Sequence, residues 1–247
     1  MRRNSSWVYR ADGQPLVRGE PGSEVLAAEF PKSLPLLRHI GTLTPTDWLR
    51  RSMTTFGKNV ASFLPGDFEA YARIYHPLRS TGGPESTWRE IAARGNIDLN
   101  DRGAFDALCA FDPSFSQVRS GSMPPALIGI LIEHLRPATT TPSGCMFAVW
   151  EGFGASVVPA DLEPKLKLPN RAYHVFTGSI EAAHSSYDSV LFAHQSANLW
   201  WLSDHAWCVA TEIDFCWSYV GGTRACIDAL LADSRLEAME TTASADV

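Results

Sequence analysis

The sequence predicts an α+β fold: an antiparallel or mixed sheet of five to six strands, covered by helices, in a single domain over residues 1–247. Three observations predict it. Short aromatic and β-branched runs bounded by turn residues crowd the second half of the chain. The intervals between them carry no helical pattern, which favours antiparallel or mixed pairing over βαβ units. The first half holds most of the helical patterns, and a half-buried sheet needs helices to cover it.

Residues 1–40, rich in Gly and Pro between 11 and 37, read as a surface arm. TPTDWLRRSM (44–53) predicts a short helix, with Pro45 at its start and Trp48, Leu49 and Met53 on one side. NVASFL (59–64) predicts a strand that ends at Pro65-Gly66. DFEAYARIYHP (67–77) places Phe68, Tyr71, Ala72 and Tyr75 at helical spacing, with Pro77 as a stop. STWREIAARG (86–95) has a capping box in Thr87 and Glu90 and a C-cap in Gly95. After a breaker-rich connection over 112–125, the helix 125–135 is apolar almost all round, which predicts burial between other elements.

The predicted strands are CMFAVW (145–150), RAYHVFTG (171–178), SVLFAH (189–194), NLWW (198–201) and AWCVATEI (206–213). A last helix is predicted over 223–239, and residues 241–247 read as a frayed tail.

With 45% hydrophobic residues and a formal charge of −6, the chain is globular in composition, and no long basic run marks a nucleic-acid or anionic-membrane partner. The most apolar window, residues 124–135, contains Glu133 and His134 and is too short to span a bilayer. No apolar run of signal-peptide length follows Arg2-Arg3. Five cysteines without Cys-x-x-Cys spacing argue against a disulfide framework or zinc ribbon. These features predict a cytoplasmic protein without a metal centre, and the sequence names no cofactor.

NLWWLSDHAWCVATEIDFCWSYVGGT (198–223) holds four of the eight tryptophans, Trp201 among them. Along its central strand, Trp207, Val209, Thr211 and Ile213 share one face and Ala206, Cys208, Ala210 and Glu212 the other. Glu212 and Asp214 fall on the same side of an extended segment. Such carboxylates can divide acid and base duties or hold a divalent cation. They can equally be a local salt bridge and an Asx-type turn. Downstream, Gly221, Gly222, Thr223 and Arg224 open a helix whose N–H groups could cradle an anion, or form a plain cap with Arg224 paired to an acid. Glu151, Arg171 and His174 interrupt apolar runs and are candidates for the lining of a pocket with Glu212.

The pieces FLPGDFEAYARIYHP, TTTPSGCMFAVWEGFG, LPNRAYHVFTG and NLWWLSDHAWCVATEIDFCWSYVGGTRACIDALL resemble a family of uncharacterised proteins from high-GC Gram-positive bacteria. The resemblance covers much of residues 60–239 and is most specific in its last block. The chain departs from the family pattern at Leu202, where Pro is expected, and at His205, where Arg is expected. The resemblance implies no activity. Two function classes follow: a non-catalytic binding or regulatory protein that holds a small molecule or protein partner against the Trp-rich surface, or an acid/base or metal-assisted hydrolase or transferase centred on Glu212 and Asp214.

Overall fold

One strand of the sheet lies where helical spacing predicted a helix. AYARIY (70–75) alternates Ala70, Ala72 and Ile74 with Tyr71, Arg73 and Tyr75, and the chain follows that period of two. The computed structural model describes residues 26–28 (backbone only), 37–78, 86–101, 103–112, 115, 118, 120–190 and 193–247. Most of the predicted arm lies outside them.

Among the described residues ten strands form one antiparallel sheet: β1 (Leu26–Ala28), β2 (Leu37–His39), β3 (Ala70–Tyr75), β4 (Cys145–Trp150), β5 (Lys165–Leu168), β6 (Arg171–Gly178), β7 (Leu199–Leu202), β8 (Trp207–Ala210), β9 (Trp217–Gly222) and β10 (Ala238–Thr241). Nine lie side by side in the order β1-β2-β6-β4-β7-β8-β9-β3-β10. The tenth, β5, shares one edge of β6 with β2: β5 pairs with Arg171–His174, and β2 with Phe176 and Thr177. The sheet is therefore larger than the five to six strands expected. The additional strands come from the predicted arm, the predicted helix at 67–77, the β5 loop, the approach to the last helix and the segment after it.

The helices are α1 (Asp47–Ser52), α2 (Trp88–Gly95), α3 (Ala104–Phe111), α4 (Pro125–Leu135) and α5 (Arg224–Ala232). One face of the sheet packs Ala72, Ile74, Phe147, Trp200, Trp207, Val209 and Val220 against α4 and α5. The other packs Tyr71, Tyr75, Ala148, Trp201, Cys208 and Tyr219 against α1, α2 and α3. The tryptophan block divides between the two. Trp200 and Trp207 meet edge to face at 5.3 Å on the first face, where the Trp207 indole N–H donates to the Leu135 carbonyl at 2.9 Å and ties down the end of α4.

Several boundaries differ from the sequence reading. Residues 60–62 form a 3-10 turn instead of a strand, with Asn59 and Ser62 as a reciprocal cap. Asn96, at φ 51°, ends α2 in place of Gly95. Ser189, Val190, Ala193 and His194 lie in no strand, and residues 191–192 are outside the described set. The last helix stops at Ala232, and Ala238–Thr241 pairs with β3. The expected frayed tail is docked: the Val60 and Ala61 N–H groups donate to the Ala245 and Ala243 carbonyls. Among the described residues no helix is long and apolar enough to cross a membrane.

Candidate functional site

On the α1–α3 face, β6, β7 and β9 begin and β8 and β3 end at the same edge, and two clefts open there. The first is set by the hairpin between β5 and β6. Its turn is Pro169-Asn170, with Asn170 at φ 59°, so β6 starts at Arg171 with that side chain on the face of Tyr173 and Val175. Beyond the end of β8, Thr211 and Glu212 keep the strand's alternation, which brings Glu212 to the face of Cys208 and Ala210. Asn198 holds this end together: its amide donates to the Thr211 carbonyl at 3.0 Å, and its side-chain oxygen accepts from the Trp150 N–H at 2.9 Å.

Arg171 then meets Glu212. Its Nε and Nη2 donate to Glu212 Oε1 at 3.1 and 2.6 Å, and Nη2 lies 3.4 Å from Asp214 Oδ2. Its Nη1 donates to the Asn170 carbonyl at 3.2 Å. The guanidinium is held 4.5 Å from the centre of the Phe56 ring and 5.7 Å from Trp150. Glu212 is 7% exposed, whereas the Asp214 side chain is 74% exposed. Burial raises the Glu212 carboxyl above the ordinary range, and Arg171 recovers only part of that cost. With Met53, Phe56, Phe63, Leu168 and Leu199, these groups enclose about 330 Å³, counting space shared with solvent.

The second cleft lies across a wall of rings: Phe63 packs on Phe215 (5.0 Å), and Phe215 stacks on Trp217 (4.5 Å). It encloses about 350 Å³ on the same measure, between Trp88, Phe105, Leu108 and Trp217, with Arg73 and Tyr75 in its lining. Arg73 is 8% exposed and stands opposite Tyr219 in the β3–β9 ladder. Its guanidinium is 5.4 Å from the centres of both the Trp217 and Tyr219 rings. Sequence reasoning passed over this arginine because its segment fits a helical period. The alternation Tyr-Ala-Arg-Ile-Tyr was the signal that could have found it.

The structure scatters the remaining candidates. Glu151 is exposed and bonded to Lys165 at 2.8 Å. His174 is buried on the face opposite Arg171, where desolvation lowers its pKa. Trp201 is 0% exposed and packs in the core against Trp48, and it lines neither of the two clefts. Gly221, Gly222, Thr223 and Arg224 lie at the far end of β9, roughly 17 Å of strand from Trp217. The two glycines are ordinary strand residues: a side chain at Gly221 would run into Phe68 and Leu64. The Thr223 hydroxyl caps Cys226 N. The Arg224 N–H donates to Glu69 at 2.8 Å, and its guanidinium pairs with Glu240 at 2.6 Å, so a carboxylate of the chain itself occupies that helix start.

Ser218 and His76 form a pair of the nucleophile–base type, with Oγ 2.9 Å from Nε2, and Thr211 bonds the serine at 2.6 Å. All three are buried in the core, beyond the reach of a substrate. No group of three or more His, Cys, Asp or Glu side chains suited to a metal ion occurs among the described residues.

No family model, curated protein or solved structure matches the chain in comparisons with known proteins.

Proposed function

We propose that this protein is a non-catalytic binding or regulatory protein that holds a small molecule at the edge of the sheet where the two clefts open. The observation that carries the reading is the pair of open, largely apolar clefts at one end of one face, each with an arginine in its lining. Only Phe111 and Val190 are exposed among the large apolar side chains described, and the tryptophans of 198–223 are buried. This favours a small molecule over a protein partner docked on a Trp-rich surface. All five cysteines are free thiols, which supports a cytoplasmic setting.

A thermal-shift screen against metabolites, nucleotides and divalent cations tests the reading. At least one class is expected to raise Tm as ln(1 + [L]/Kd), with the shift lost on Phe56→Ala or Arg73→Lys. A screen without a hit overturns it. The alternative is an acid/base or metal-assisted hydrolase or transferase using Glu212 and Asp214. It draws on the raised Glu212 carboxyl. Against it, Arg171 bonds both carboxylates and Asp214 stands in solvent.

A further inference from the structure

We propose that the cleft lined by Arg73 is a binding site for a small monocarboxylate with an apolar body. The proposal rests on the small-molecule reading above and narrows it to one cleft and one chemical class.

Among the described residues Arg73 is a buried cation with no carboxylate at salt-bridge distance. Nη1 donates to the Leu99 carbonyl at 3.2 Å, Nε has no hydrogen-bond partner, and no carboxylate of the described residues pairs with the side chain. Three uncharged donors around it share the condition. Tyr75 OH, Tyr219 OH and Trp217 Nε1 are all buried and none makes a hydrogen bond of ordinary geometry, although both tyrosine oxygens lie near the guanidinium and favour its charge. Tyr219 and Trp217 carry the rings over which the guanidinium lies, and Tyr75 is two residues along the same strand face. Leaving a buried donor unpaired costs about 1–3 kcal/mol, and a charged one more. Arg73, Tyr75 and Trp217 line the cleft, and an oxyanion with several lone pairs can accept from their donors together.

The rest of the lining selects among anions. One guanidinium balances one negative charge. The exposed carboxylates of Asp101 and Asp246 also line this cleft and set the field against a second. A phosphate or dicarboxylate is therefore disfavoured relative to a monocarboxylate. Trp88, Leu99, Phe105 and Leu108 offer no further charge, so the remainder of the ligand is apolar.

The test uses the whole chain and four probes, benzoate and butyrate with the uncharged isosteres benzamide and butyramide, plus inorganic phosphate. Binding is read by thermal shift and by tryptophan fluorescence, since Trp88 and Trp217 line the cleft. Benzoate or butyrate is expected to raise Tm saturably, and the amides and phosphate are not. Arg73→Lys keeps the charge and loses the planar fork, and it should weaken the acid at least about tenfold. Tyr75→Phe removes one hydroxyl from an intact ring and should weaken it by about three- to tenfold. Both variants are conservative enough to fold, which melting without ligand verifies.

An equal response to amide and acid, acid binding unchanged in Arg73→Lys, or no response to either acid overturns the proposal. A screening hit kept in Arg73→Lys and lost in Phe56→Ala overturns this proposal alone and leaves small-molecule binding standing. A screen without any hit overturns both.

Discussion

Arg171 and Arg73 occupy the same end of the same sheet face, and each lies against two aromatic rings. They differ in what surrounds the charge. Every nitrogen of Arg171 donates to a chain oxygen, with the buried Glu212 carboxylate taking two of the bonds. Among the described residues Arg73 bonds one carbonyl, has two neutral tyrosine oxygens nearby and pairs with no carboxylate. The first arginine is a staple that ties the start of β6 to the end of β8. The second is a charge held in the core by rings and a backbone dipole, with its strongest interaction still to be made. Being buried, cationic and ring-clamped does not separate a structural arginine from a receiving one. The count of satisfied donors does.

The largest expected effect breaks the staple. Arg171→Met leaves Glu212 as an uncompensated buried carboxylate and should cost about 3 kcal/mol or more in urea denaturation. The double variant Arg171→Met/Glu212→Leu should recover most of that loss, because the cost lies in the orphaned charge. Arg73→Met should change stability by only about 1 kcal/mol, since it removes a charge that no carboxylate balances. If both arginines cost the same, the distinction between staple and receiver fails.

A smaller loss is expected from the loop that backs the wall between the clefts. Gly121 sits at φ 75°, and a Cβ there would lie 2.6 Å from the Ile213 carbonyl oxygen. Its N–H donates to the Phe215 carbonyl at 3.0 Å, and its own carbonyl accepts from Gln195 at 2.7 Å. Gly121→Ala should cost about 2 kcal/mol and loosen the Phe63–Phe215–Trp217 wall that both clefts share. Melting curves give the cost. A parallel fall in ligand binding at either cleft would show that the wall positions both.

The two clefts were unequally legible in the sequence. Strands β4, β6, β7 and β8 announced themselves because each is a short apolar or aromatic run bounded by turn residues. The helix α2 did so through the Thr87–Glu90 capping box, which the structure contains. Glu212 and Arg171 were found because charges stand out at the ends of such runs. The segment 67–77 satisfies both a period of 3.6 and a period of two, and its partners β9 and β10 decide between them. LEAM, at 236–239, has helical propensity, yet Ala238 and Met239 pair with β3 and override it. The glycines at 221–222 read as a turn because close packing under Phe68 leaves no local signature. Closeness in sequence misled as well, since Glu212 and Arg224 lie near opposite ends of β9.

The smallest expected effect is in pH dependence, and it again separates the clefts. Burial raises the folded pKa of Glu212 above the ordinary carboxyl value near 4.5. The folded chain therefore holds this proton more tightly than the unfolded chain. The contribution to stability is full below about 4.5 and is lost as pH rises through the higher folded value. Relative to Glu212→Gln, the wild type should lose stability as pH climbs through that window and run parallel above it. At the other cleft, burial raises Tyr75 and Tyr219 above their ordinary value; burial opposes the Arg73 charge, and the nearby tyrosine oxygens more than offset it. None of these groups changes protonation between pH 4 and 8. The stability difference between wild type and Arg73→Met should therefore be flat over that range, as read by urea midpoints at fixed ionic strength. A slope there would mean that an acidic group pairs with Arg73 after all, and the contrast between the two arginines would narrow to one of degree.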